Sequence, residues 1–240
     1  FSIMLRQRGV IIMHSQAKQY LDIIADSLVN NHAAVMIGAG FSRNAIKKNP
    51  SSNVKGFSLW NDLVKICLKK LNPDYEKDGF YIGNPLSVFQ EFADAFGRNA
   101  LEKIFKENIP DNDYMPSKLH IQLLELPWRD IFCTNYDTLL ERTCPYVTNR
   151  RYNIVACKDD LVNSAETARI IKLHGTFPSY KPFIITEEDY RTYPKKFAPF
   201  VNTVQQSLLE NTLCLIGFSG SDPNFLNWIG WIKDNLGQDI

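Results

Sequence analysis

The 240-residue sequence contains no CxxC pair, no excess of one charge and no unbroken apolar run of bilayer length. Its five cysteines, Cys67, Cys133, Cys144, Cys157 and Cys214, are odd in number and scattered, so neither a disulfide framework nor a zinc ribbon is expected. A reduced, cytoplasmic setting is the corresponding expectation. The 27 basic residues nearly balance the 26 acidic ones, giving a net charge of +1. That balance supplies no electrostatic reason for direct nucleic-acid binding or for an anionic membrane surface as partner. The opening FSIMLRQRGVIIM is apolar but interrupted by Arg6 and Arg8, and it lacks a signal-peptide cleavage pattern. A complete GxGxxG fingerprint is missing too, because Arg43 stands where its last glycine would fall.

What is there is an ordinary globular composition, 45% hydrophobic and 22% charged, on a chain long enough for one sizeable core with a smaller insertion. Residues 1–14 read as an N-terminal extension and 15–240 as one domain. SQAKQYLDIIADSLVN, 15–30, has helical spacing behind a serine suited to capping. AAVMIG, 33–38, is a continuous apolar run of the kind buried in parallel sheets. A polar loop follows, then the amphipathic SLWNDLVKICLKKL.

Residues 85–126 hold three helical patterns and no convincing strand, which predicts a small helical module inserted into the main sheet. Phe89, Phe92, Phe96, Ile104 and Phe105 recur there at roughly helical spacing. They suit either the module's own core or an exposed stripe through which a second subunit could move the module over a site. Strand-type runs return at DIFCTNYD (130–137), RIIKLHG (169–175), PFIIT (182–186) and TLCLIGFSGSD (212–222), with helical patterns at 195–210 and 222–235. The alternation predicts an α/β fold: a Rossmann-like parallel sheet flanked by helices, with the inserted module and no zinc ribbon.

Four of the apolar runs end in small or polar residues: Gly38-Ala39-Gly40-Phe41-Ser42, Thr134-Asn135-Tyr136-Asp137, His174-Gly175, and Gly217-Phe218-Ser219-Gly220-Ser221-Asp222. In an open α/β sheet, ligands sit outside the carboxyl ends of strands. Glycines at 38 and 40 would let backbone approach a phosphate, or would simply turn the chain. Asn135 and Asp137 suit an Asx turn or helix cap as well as an amide and carboxylate facing a ligand. A lone histidine at a strand tip, such as His174, is more often structural than catalytic.

Taken in order, GAGFS, TNYD, KLHG and GFSGSDPN resemble the motifs of the SIR2-like, sirtuin-fold family over about residues 15–235. The resemblance implies NAD⁺ as the bound molecule. It implies that Gly38, Ala39, Gly40, Phe41 and Ser42, with Arg43 beside them, cradle the pyrophosphate. It places Asn135 and Asp137 around the nicotinamide and its ribose, His174 on the ribose hydroxyls, and Gly217, Ser219 and Asp222 on the adenosine side. Deacylating sirtuins carry paired CxxC motifs after the histidine, and residues 175–216 contain only Cys214. The chain is therefore more similar to the zinc-free SIR2 domains of bacterial anti-phage defence systems. That similarity implies NAD⁺ as substrate rather than cofactor, no metal, cleavage to nicotinamide and ADP-ribose with Asn135 and His174 as catalytic residues, homo-oligomeric assembly, and a sensor domain or partner protein. Two other classes stay open: a module that binds NAD⁺ or an ADP-ribose derivative without turnover, and an NAD-dependent transferase or deacylase.

Overall fold

Ala33–Ile37 has no polar side chain in five residues, and all five are fully buried. A segment of that kind belongs at the centre of a sheet covered on both faces. The computed structural model of the chain describes residues 5–7, 10–12, 15–75, 84–164, 167–178 and 183–237. In chain order the strands and helices are β1 (Leu5–Gln7), β2 (Val10–Ile12), α1 (Ser15–Val29), β3 (Ala33–Ile37), α2 (Ala39–Ser42), β4 (Ile46–Lys47), α3 (Trp60–Leu71), α4 (Pro85–Phe96) and α5 (Arg98–Asn108). They continue with β5 (Tyr114–Met115), α6 (Lys118–Glu125), β6 (Asp130–Cys133), α7 (Leu139–Thr143), β7 (Asn153–Val155) and α8 (Lys158–Asn163). Last come β8 (Arg169–Lys172), α9 (Glu187–Lys196), α10 (Ala198–Glu210), β9 (Thr212–Ile216) and α11 (Pro223–Leu236).

The main sheet has the order β7-β8-β6-β3-β9 and every pairing in it is parallel. In register, Val35 of β3 lies between Ile131 of β6 and Cys214 of β9. Side chains alternate across the pleat, so Ala33, Val35 and Ile37 face one layer of helices while Ala34 and Met36 face the other. The first layer packs Ile24 and Leu28 of α1 with Leu123 and Leu124 of α6. The second packs Tyr190 and Tyr193 of α9 with Val204 of α10 and Trp228 of α11. The sheet flanked by helices thus stands as the sequence predicts.

The helices of 85–126 divide. α4 and α5 share one core with α3, built from Phe89, Phe92, Leu101, Ile104 and Phe105 and closed by Tyr136, Leu139, Phe177, Phe183 and Ile185. α6 instead packs against the sheet. The aromatic stripe is therefore the module's own interior: Phe89, Phe92, Ile104 and Phe105 are at most 2% exposed, and only Phe96, at 51%, reaches solvent. The rest of the stripe is buried because that of α4 meets that of α5 and the N-terminal turn of α3, where the Trp60 ring packs tilted against Phe89 with centroids 5.2 Å apart. Phe96→Glu is accordingly expected to leave the oligomeric state unchanged and to lower Tm by no more than about 2–4 °C, the equivalent of about 1 kcal/mol in a domain of this size. Sizing chromatography and thermal melting check both.

One local expectation is corrected. Residues 183–186 form no strand; Ile184 N donates to the carbonyl of His174 (3.1 Å), and the segment runs straight into the Thr186 cap of α9. Residue 182 of PFIIT lies outside the described residues, as do residues 1–4, 8–9 and 13–14 of the N-terminal extension. Among the described residues, no helix is long and apolar enough to cross a membrane.

Candidate active site

β3 is the point where the sheet's connections diverge. The chain leaves it toward β6 on one side, and later crosses from β8 to β9 on the other. Loops leaving the carboxyl ends of such strands face a crevice. Here they line a cleft of about 700 Å³, with Gly38, Ala39, Gly40 and Ser42 from the β3 loop, Thr134 to Asp137 from β6, His174 from β8, and Gly217 to Ser219, Ser221 and Asp222 from β9.

The β3 and β9 loops hold each other directly. Gly38 N donates to Ile216 O (3.1 Å) and Gly40 N to Gly217 O (2.9 Å), while Phe41 N donates back to Gly38 O (2.9 Å). A Cβ on Gly38 would lie 2.6 Å from Gly217 O, so this glycine is demanded by loop-to-loop contact. Of the residues expected around the pyrophosphate, Phe41 turns into the core against His120 (ring centroids 4.7 Å apart), and Arg43 is exposed. Neither lines the cleft. One turn of α2 sends successive side chains about 100° apart, so only part of the motif can face one site.

Behind the β3 loop runs a buried polar chain. Asn135 Nδ2 donates to Gly38 O (3.0 Å) and to Ser42 Oγ (2.8 Å), and Ser42 Oγ donates to Asp137 Oδ2 (2.6 Å). Because Gly38 O can only accept, these bonds fix the amide, and among the described residues Asn135 Oδ1 is left without a partner. Asp137 Oδ1 accepts from Leu139 N (3.2 Å), an Asx turn at the start of α7. Both oxygens of Asp137 are thus engaged within the fold. Burial raises its pKa, with Lys172 and then the Ser42 hydrogen bond opposing.

Lys172 is fully buried on β8. Its ammonium donates to Asp137 O (2.7 Å) and pairs with Glu141 (3.0 Å), which also accepts from Thr176 (3.0 Å). A buried charge is tolerable only when paired in this way. The ion pair pins the turn that carries Asn135 and Asp137 to the strand that carries His174.

His174 is 1% exposed, and its Nε2 has no hydrogen-bond partner among the described residues. Burial lowers its pKa, with Asp222 and then Asp189 pulling it back up. Further walls of the cleft come from elements without a motif: Tyr190 of α9, Trp60 and Leu59 at the start of α3, and Asn84 to Leu86 at the start of α4. Sequence reasoning missed these residues. One usable signal was the TEED of residues 186–189, a capping box that starts α9 and so places Tyr190 on its first turn.

The charged groups of the cleft decide what it suits. Among its described lining residues there is no lysine or arginine, and the only carboxylates are Asp137 and Asp222. Among the described residues, no group of three or more His, Cys, Asp or Glu could hold a metal ion.

Residues 129–239 match the SIR2-like domain. The SIR2-like match runs from the start of β6 to beyond α11 and so takes in the TNYD, KLHG and GFSGSDPN loops. Similarity to whole relatives extends further. The chain is 29% identical over 218 residues to the NAD(+) hydrolase ThsA of Acinetobacter baumannii, covering 88% of this chain and 41% of that protein. It is 26% identical over 214 residues to the ThsA of Cytobacillus dafuensis, covering 89% and 40%. Defense-associated sirtuin 2 of Bacillus subtilis is 20% identical over 226 residues, covering 93% and 21%. The chain thus spans between about one-fifth and two-fifths of the length of these three relatives.

Proposed function

We propose that the cleft hydrolyses the nicotinamide–ribose bond of NAD⁺, releasing nicotinamide and ADP-ribose. The observation that carries the reading is the pair of unpartnered buried atoms, Asn135 Oδ1 and His174 Nε2, lining one cleft between strand ends. Likeness to proteins named NAD(+) hydrolase supports the substrate, and likeness to a defence-associated sirtuin supports a role in defence. The electrostatics fit the chemistry. The leaving group is a cationic pyridinium, and bond breaking moves positive charge onto the ribose. Carboxylates without cations among the described lining residues favour that shift.

In this mechanism Asn135 Oδ1 accepts a hydrogen bond from a ribose hydroxyl or the attacking water, held in place by the amide's bonds to Gly38 and Ser42. The water oxygen bonds to the anomeric carbon as the C–N electron pair leaves with nicotinamide. The water's proton passes to neutral His174 and then to solvent. Burial keeps the imidazole in the neutral, accepting form. Asp137 acts through Ser42, because both its oxygens are already engaged. Gly38, Gly40 and Phe41 use their N–H groups within the fold, so the hydroxyls of Ser219 and Ser221 share the pyrophosphate with what the β3 loop keeps free.

The test is incubation of the protein with NAD⁺ at several protein concentrations, with nicotinamide and ADP-ribose quantified. Equimolar products without an acceptor are expected, and a rate per molecule that rises with concentration would indicate that assembly gates the site. Saturable binding without nicotinamide release would make the domain a binding module. Release only with an acceptor would make it a transferase.

A further inference from the structure

Asp222 caps α11, and one oxygen suffices for that: Oδ1 accepts from Phe225 N (3.1 Å). The other oxygen faces the cleft. Oδ2 accepts from Tyr190 Oη (2.8 Å) and lies 3.8 Å from His174 Nε2. That separation exceeds a hydrogen bond but places a negative charge directly beside the imidazole. Tyr190 holds both members at once, its hydroxyl on the carboxylate and its ring edge-on to His174 with centroids 5.5 Å apart.

We infer that Asp222, fixed by Tyr190, is the positioning carboxylate of His174, stabilising the imidazolium that forms when the histidine takes a proton. The assignment rests on His174 being the base of the proposed reaction. It moves Asp222 from the adenosine side of the cleft to the reacting side. Asp222 supplies the larger part of the negative charge at His174 and Asp189 the smaller. From α9, Asp189 is ion-paired to Arg98 (2.6 Å) and accepts from Ile185 N and Thr186 N (both 2.9 Å). Tyr193, also from α9, donates to Leu173 O (2.9 Å), and Tyr136 from the β6 turn donates to Ile184 O (2.6 Å). Asp137 accepts from Ser42 and Leu139 N. Among the described residues, no lysine or arginine forms an ion pair with Asp222, and His174 is its cationic partner when protonated.

The sign of the effect is fixed by charge. A carboxylate beside an imidazole favours the protonated form, so removing it lowers the pH at which His174 titrates. Asp222→Asn keeps the shape and the cap, because asparagine is an equally good N-cap. Two readouts are measured together: the titration of the His174 ring by NMR in the free protein, assigned by difference from His174→Gln, and the pH profile of kcat/KM for NAD⁺. In Asp222→Asn the His174 midpoint is expected to fall, the acid limb of the profile to move to lower pH with it, and the plateau to drop about 10–100-fold. Tyr190→Phe keeps the ring and frees Oδ2, concentrating charge on the carboxylate, so the midpoint moves the opposite way. A cap-only role would change Tm and leave both midpoints where they are. Unmoved midpoints in folded Asp222→Asn, or in Tyr190→Phe where Asp222→Asn does not fold, overturn the assignment. A wild-type protein that does not cleave NAD⁺ instead overturns the proposed reaction, while the ring titration still decides the coupling of Asp222 to His174.

Discussion

Asn135→Ala is expected to lower NAD⁺ cleavage by about 10²–10⁴-fold, the usual loss when a positioned catalytic group is removed, while the protein stays folded. The local bonds explain the separation of activity from stability. The amide donates to Gly38 O and Ser42 Oγ, yet Gly38 O keeps the bond from Phe41 N and Ser42 Oγ keeps its bond to Asp137. No buried polar group is orphaned by the truncation, so the cost to folding stays near 1 kcal/mol, or about 2–4 °C in Tm. What disappears is Oδ1, the unpartnered acceptor that Asn135 presents to the ligand. Nicotinamide release and thermal melting of the same preparation measure the two quantities. Turnover like the wild type in a folded variant would remove Asn135 from the mechanism.

How much of this could be read beforehand depends on whether a feature is local in the chain. β3, β6, β8 and β9 are apolar runs that stop at small or polar residues, so both the strands and the loops that carry Asn135 and His174 are visible as patterns. β7 is not: it has three residues, begins on the exposed Asn153 and borders only β8. α9 hides for a different reason. EEDYRTYPKK is polar, carries Pro194 inside the helix and buries only Tyr190 and Tyr193, so its start is marked by the Thr186–Asp189 cap and by little else. PFIIT shows the reverse error. Its apolar character reflects burial against Tyr136, Phe177 and the helical module, with Arg98 of α5 donating to Phe183 O where a neighbouring strand would.

Within the site, each motif reveals its residue but not its partner. Ser42 and Asp137 are 95 positions apart, and Tyr190 and Asp222 are 32 apart. Their hydrogen bonds follow from strand order, which no single motif encodes. Phe41 and Arg43 are the complementary case, since they belong to the motif in sequence and leave the cleft in space through the turn of α2.

Gly217→Ala is expected to cost both the site and about 2–5 kcal/mol of stability, and Gly220→Ala separates the two causes. Gly217 has φ +62°, and a Cβ there would lie 2.2 Å from Phe41 N, 2.8 Å from Gly40 C and 2.9 Å from Phe41 Cα. All three contacts are backbone, so no rotamer change relieves them. The left-handed conformation costs about 1–2 kcal/mol for a residue with a side chain, and forcing the loops apart adds about 1–3 kcal/mol. Gly220, in the same loop, has φ +74°, but its Cβ would meet only Phe225 Cε1 at 3.9 Å, an ordinary contact. Gly220→Ala therefore carries the conformational cost alone. Each kcal/mol corresponds to about 2–4 °C in a domain of this size, so Gly217→Ala should melt several degrees below Gly220→Ala. The collision also breaks the Gly40 N to Gly217 O bond that holds the β3 loop against the β9 loop. Because Ser42 and the Gly38 carbonyl that anchor Asn135 sit on that loop, nicotinamide release should be lost in Gly217→Ala and retained in Gly220→Ala. Equal melting temperatures for the two variants would mean that the loops do not meet backbone to backbone, and the cleft would then need to be redrawn from its floor upward.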